Sequence, residues 1–340
     1  MLKRLVELDS LRGIAALCVV LFHFTYGYQK FISHFEIPAL LTFRFGFYGV
    51  YLFFVLSGFV IYYSITNIRS GKEFIIKRAI RLYPTYWICL ITTFIFVYSI
   101  NNLPESFSVS YKQAFIGLTM LQQLFYTPPI DKSYWTLVPE FFFYFCVFLL
   151  IITRTEKNIL IIGLIWLLFS FIHEHIYHIK YFGLILNLKY APFFYAGIIF
   201  YHIMAGSTKK GFLYFQLFLC FSLSVSIFND PLKDGIAVLV IYLLFLLFIT
   251  KNLGFLNYRP LIFLGQISYA WYLLHQSIGY VIMKLMQDYI DSIFLIFFPI
   301  AITLGLATII TFYAERPVMK YLKKKLLSSN ASEPKISTLP

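Results

Sequence analysis

The sequence predicts an all-α, polytopic integral membrane protein of about ten transmembrane helices, and three observations carry the prediction. Hydrophobic residues make up 60% of the 340 positions and charged residues 13%, with a mean hydropathy of +0.78. That is more apolar surface than a water-soluble core can absorb. Apolar runs recur near 11–28, 46–65, 82–100, 136–152, 159–172, 184–203, 212–228, 235–250, 262–286 and 292–313. Most approach the roughly 20 residues that carry a helix across the hydrocarbon layer, where the backbone must satisfy its own hydrogen bonds. Finally, Lys and Arg alternate loop by loop: with the N-terminus placed inside, all but Lys30, Arg44, Lys112, Lys132, Lys180, Lys189, Lys233 and Lys284 fall on the inner side. The positive-inside rule then places both termini in the cytoplasm of a multi-pass protein of the cell (inner, plasma) membrane.

The runs differ in quality. The fifth, seventh and eighth are short and need tilt or local bilayer thinning. The weaker run 111–126 is broken at Thr127, Pro128 and Pro129 and reads as an interfacial or re-entrant piece. Lys3 and Arg4 precede the first run as in a signal peptide, but no small-x-small cleavage site follows Tyr28, so the run is retained as a helix. Cys18, Cys89, Cys146 and Cys220 all fall within runs, where a thiol acts as a small apolar group. One membrane domain over 1–326 is expected, followed by a disordered cytoplasmic tail over 327–340, rich in Ser and containing two Pro. The net charge of +13 follows from the topology. A nucleic-acid binder would gather its cations on one soluble face, so no nucleic acid partner is assigned.

Polar groups within or beside an apolar layer are costly, and function is sought there. Arg12 and His23 lie eleven residues apart in the first run, so they share one helix face and stand about 16 Å apart along its axis. The pair suits a long ligand with its charged end at the inner surface and its reactive end at the imidazole. The alternative for His23 is an interhelical hydrogen bond. Lys77, Arg78 and Arg81 fall on one face of a helix and can grip phosphate; alternatively, they only orient the chain and touch anionic lipid. Glu140, after Pro139, sits at the outer mouth of the fourth run. It can orient an imidazole, hold a sugar hydroxyl or move a proton, or it is an acid favoured by the helix dipole.

The sequence resembles a known family in six ordered segments. They are Leu8-Asp9-Ser10-Leu11-Arg12-Gly13-Ile14-Ala15-Ala16 continuing to His23, Gly49 to Phe59, Lys77-Arg78-Ala79-Ile80-Arg81-Leu82-Tyr83-Pro84, Trp135-Thr136-Leu137-Val138-Pro139-Glu140, Ile267 to His275, and Glu315-Arg316-Pro317. Together they are similar to the membrane-bound acyltransferase-3 family, which includes bacterial O-acetyltransferases of surface polysaccharide. The resemblance implies His23 as the essential histidine, Arg12 as its partner, Arg78 and Arg81 as functional arginines, and Glu140 as the acid after the Trp. Thr136 stands where the family usually has Ser, and Pro139 where it has a non-proline residue. Many relatives add a C-terminal esterase-like domain that this chain is expected to lack.

On this reading acyl-CoA, with acetyl-CoA foremost, places its phosphates on Arg78, Arg81 and Lys77. The acyl group passes to a hydroxyl of a saccharide or lipid-linked glycan, with His23 as general base or transient acyl carrier. Glu140 orients or assists. His275 is a pocket or packing residue and His202 ranks below it. The cluster His173, Glu174, His175 and His178 lacks the H-E-x-x-H spacing, Tyr177 standing at the needed position, and no metal is assigned. The rival from another class is a secondary transporter or flippase in which Arg12, His23 and Glu140 relay protons.

Overall fold

A computed structural model describes residues 5–32, 36–66, 68–100, 103, 107–178 and 180–327. The expected tail lies outside them beyond Leu327, as do Lys3, Arg4 and Lys335 of the charge count. Among the described residues there are helices and turns and no strand.

In chain order, α1 (Val6–Phe22) continues through a π turn, His23–Gly27, into α2 (Tyr28–Phe31), a single span of 26 residues. Two 3-10 turns, Ala39–Leu41 and Arg44–Tyr48, lead into α3 (Gly49–Ile65). Helix α4 (Gly71–Tyr98) starts earlier than the apolar run because Ser70 caps it, its hydroxyl accepting from the Glu73 amide at 3.3 Å while Glu73 accepts from the Arg69 amide at 2.7 Å. The basic segment therefore rides on the first turns of this helix. The short α5 (Tyr111–Gly117) and a 3-10 turn, Gln122–Phe125, occupy the run read as interfacial. Then follow α6 (Leu137–Thr153), α7 (Ile159–His175), the short α8 (Lys180–Ile185), α9 (Ala191–Met204), α10 (Lys210–Ser226), α11 (Pro231–Ile249), α12 (Arg259–Met286) and α13 (Ser292–Ile309). A second π turn, Ile310–Glu315, joins α13 to α14 (Arg316–Leu327).

Each of the ten apolar runs coincides with helix; by length and apolarity seven helical segments among the described residues can cross a membrane, and the expected count of about ten is not confirmed. The physical reason differs among the other three. Helix α9 has 14 residues, short of a bilayer, and α10 has 17, at the lower end of the lengths that span one. Helix α12 has 28 residues, enough to span, but carries Arg259, His275, Gln276 and Lys284.

Helices α1 and α12 make the closest approach that positions the site. A Cβ on Gly265 would lie 1.8 Å from the Asp9 carbonyl oxygen, and one on Gly13 would lie 2.5 Å from that of Leu261. Small residues at such a crossing let two backbones touch, which lipid-embedded helices need because they gain no hydrophobic drive toward one another. Gly265→Val should therefore force the helices apart and cost about 1–3 kcal/mol. Thermal unfolding in detergent should show a lowered midpoint for Gly265→Val and no lowering for Gly305→Ala, where an added Cβ meets nothing within 4 Å.

Candidate active site

Ten residues beyond the glycine contact, one on each helix, stand His23 and His275, so α1 and α12 run parallel. His23 Nδ1 lies 3.1 Å from His275 Nε2, with ring centroids 4.9 Å apart. His275 is fully buried, and its Nδ1 is 2.7 Å from the Tyr272 carbonyl. A carbonyl can only accept, which assigns the proton to Nδ1 and makes Nε2 of His275 an acceptor. His23 Nδ1 lies 2.9 Å from the Val19 carbonyl and must likewise carry its proton, shared between that oxygen and His275. The lone pair on His23 Nε2 is left over, and that nitrogen makes no hydrogen bond among the described residues. An imidazole fixed in this tautomer is ready to take a proton.

The charged half of the site is a cavity of about 120 Å³ among α1, α3, α4, α6 and α12, lined by Arg12, Arg78, Arg81, Glu140, Ser57 and Tyr272 among others. Aromatic faces hold the guanidinium groups: Arg78 lies 5.7 Å from the Phe74 ring centroid and 5.8 Å from that of Tyr144, and Arg81 lies 5.6 Å from that of Tyr269. Arg81 also donates to Glu315 at 2.7 Å, and the π turn preceding Arg316 points that buried carboxylate inward. Arg78 reaches Ser64 Oγ at 3.5 Å, and its Nε is buried without a partner. A second, more open cavity of about 450 Å³ shares Arg12, Val60 and Arg81 with the first and adds Asp9, Glu315 and Arg316. The arginines thus stand where a wide vestibule meets a narrow chamber.

The structure brings Arg12, Arg78, Arg81 and Glu140 together. Lys77 is not among the residues lining either cavity, being paired with Glu73 at 2.6 Å. His23 does not line the chamber either; Tyr272 stands between, its hydroxyl 2.9 Å from Thr136 Oγ1 and its ring 5.5 Å from that of His275. Glu140 lies deeper than the outer mouth expected for it, because the chain enters α6 through a buried 3-10 turn, Lys132–Thr136. Its Oε1 accepts from Ser57, the central residue of α3, at 3.2 Å and from Tyr144, so its bonds do not go to the imidazoles.

The structure adds two residues to this neighbourhood, His275 beside His23 and Asp131 in the turn before α6. Asp131 is fully buried and accepts from the Ser133 amide at 2.8 Å and the Ser277 amide at 2.7 Å, fastening the 3-10 turn to α12 two residues past His275. The Asp-x-Ser capping pattern was a usable signal for the turn. His202 packs with its ring centroid 5.1 Å from that of Tyr62, away from the imidazole pair. In the histidine cluster, His173 packs 4.2 Å from His178 and His175 lies 2.9 Å from Ser226 Oγ. Among the described residues no three His, Cys, Asp or Glu side chains converge as a metal site.

A family model described as "Acyltransferase domain", of the acyltransferase-3 type, matches residues 5–314. The chain belongs to the acyltransferase-3 family. It is also similar to a protein of the Acidianus two-tailed virus described as "Putative acetyltransferase ORF330", 26% identical over 287 residues, which cover 79% of this chain and 82% of that one. No solved structure matches. This acyltransferase-3 protein is thus a membrane enzyme that moves an acyl group from a donor to an acceptor.

The ion pair between Arg81 and Glu315 gives a test of how the chamber is held. Removing the cation strands a carboxylate that is 4% exposed. Arg81→Leu should destabilise the acyltransferase by about 3 kcal/mol, and adding Glu315→Gln should recover most of that loss in a double-mutant cycle.

Proposed function

We propose that this acyltransferase is an O-acyltransferase that moves a short acyl group, acetyl foremost, from acyl-CoA to a hydroxyl of a cell-surface saccharide or lipid-linked glycan. The observation that carries the reading is the junction of chamber and vestibule: Arg12 is paired with Asp9 and Arg81 with Glu315, but Arg78 keeps only a 3.5 Å contact to Ser64 and a buried Nε without a partner, so an anionic ligand in the chamber would complete its bonding. A nucleotide phosphate chain supplies that charge, with Arg81 and Arg12 at the vestibule side and Arg78 deeper. Lys77 contributes from the rim when its Glu73 pairing opens. The chamber is slightly smaller than the roughly 150 Å³ cavity that accepts benzene, which favours acetyl over a fatty acyl group. The distribution of Lys and Arg supports placing the vestibule and both termini on the cytoplasmic side of the plasma membrane.

The acyl group passes Tyr272 to reach the imidazole pair. His23 Nε2 takes the proton of the acceptor hydroxyl as its oxygen bonds to the thioester carbonyl carbon. The carbon–sulfur bond then breaks, and the leaving thiolate receives the proton from His23, restoring the neutral ring and releasing free coenzyme A. His275 acts through His23: its Nε2 accepts from Nδ1–H and supports the positive ring that forms during transfer. Glu140 is a positioning residue that sets Arg12 through charge and Tyr144 through a hydrogen bond.

Membranes carrying the protein, supplied with labelled acetyl-CoA, test this. His23→Ala should lower label transfer about 10²–10⁴-fold with the half-saturating acetyl-CoA unchanged. His275→Ala should lower it about 10–100-fold, the scale of a lost orienting partner. Arg78→Ala should instead raise the half-saturating acetyl-CoA about tenfold. Near-normal transfer by His23→Ala protein present in the membrane at normal level removes His23 from the chemistry.

A further inference from the structure

A third cavity, of about 250 Å³, lies on the opposite side of the imidazole pair from the arginine chamber. Helix α12 orders the two. Ser268, Tyr269 and Tyr272 line the chamber, while Gln276, Ser277 and Tyr280 line the third cavity. Tyr269, Tyr272, Gln276 and Tyr280 follow one another at spacings of three or four, so one stripe of one helix forms a wall of both. Between Tyr272 and Gln276 the helix rises about 6 Å, and His275 occupies that interval with His23 against it. The same level is closed from the side by the turn that Asp131 fastens to Ser277. The two cavities are thus separated by a thin septum with the imidazole pair inside it.

The chemistry of the third cavity differs from that of the chamber. Gln276 and Tyr280 are 7% and 3% exposed, and the Tyr280 hydroxyl is buried beside Gln276 without a well-formed hydrogen bond. Its ring centroid lies 6.1 Å from that of His23. Gln113, Ser108 and Lys132 add donors at the rim, Pro128 and Pro129 give an apolar side, and among the described residues no carboxylate lines the space. Amide and hydroxyl groups beside a small apolar surface, with a cation and no anion, fit a neutral or acidic polyhydroxylated ligand.

We infer that this third cavity is the acceptor site, holding a saccharide with one hydroxyl directed through the septum at His23 Nε2, Tyr280 and Gln276 bonding its neighbouring hydroxyls. The inference rests on the acyl-transfer reading and adds to it that donor and acceptor approach from opposite faces and meet only at the imidazole pair. Acceptor recognition then depends on residues that no donor group touches.

The test uses the full chain in membranes with acetyl-CoA labelled in the acetyl group, reading label in the saccharide fraction and the half-saturating acetyl-CoA together. Gln276→Ala and Tyr280→Phe remove the recognising groups, and Ser108→Trp fills the cavity from an exposed loop position that bears little on folding. Each variant should lower saccharide labelling at least tenfold at unchanged protein level, with the half-saturating acetyl-CoA within twofold of the unsubstituted value. Labelling at the unsubstituted rate in all three overturns the acceptor site while leaving the acyl-transfer reading intact. A raised half-saturating acetyl-CoA also overturns it, since the cavity then serves the donor. If the unsubstituted chain transfers no label, or His23→Ala transfers it normally, the acyl-transfer reading itself falls and the acceptor site falls with it.

Discussion

The site depends on the backbone contact between α1 and α12 at Gly13 and Gly265. Because the two helices run parallel from that contact, equal counts of ten residues on each bring His23 and His275 to the same height, about 15 Å further along. A side chain at either glycine would widen the crossing by more than the 3.1 Å between the imidazole nitrogens can tolerate. The π turn that begins at His23 adds a second constraint, widening the helix where the ring must reach across. Two glycines on facing helices thus fix the geometry of an imidazole pair far from them in sequence.

A second theme is how this fold keeps charge inside an apolar layer. Arg81 has a carboxylate and an aromatic face, and Arg12 has Asp9 at 3.3 Å, but Arg78 has aromatic faces, a long contact to Ser64 and a buried Nε without a partner. Burying such a group without full compensation costs stability, and a fold retains it when a ligand completes the bonding. The same reasoning separates the two sides of the septum: one chamber is rich in fixed cations, and the other offers neutral donors and acceptors around a single exposed lysine.

Much of this was legible in the sequence, and what was not has physical causes. Hydropathy located the helices because lipid imposes one requirement on every span, yet it could not grade α12, whose polar residues are those of the site. Helix periodicity put Arg12 and His23 on one face of α1, yet of the two only Arg12 lines the chamber. Glu140 was misplaced in depth because a 3-10 turn before α6 is buried, and no periodic signal reports how far a loop sinks into a bundle. The weight of His275 was invisible because it comes from a partner 252 positions away in the chain. Lys77 shares a helix face with Arg78, but its neighbour Glu73 captures it first, and an i, i+4 pair of that kind was readable from the outset.

The central claim is that the imidazole pair sits where an acyl group arriving past the arginines meets its acceptor. The most direct measurement is an experimental structure of the protein in lipid with an acyl-CoA analogue whose thioester is replaced by an inert ketone. The account predicts phosphates against Arg78 and Arg81 and the ketone carbon within about 3.5 Å of the path to His23 Nε2, past Tyr272. An analogue whose phosphates bind away from the arginines, or whose ketone lies on the far side of α1 from His275, would contradict it.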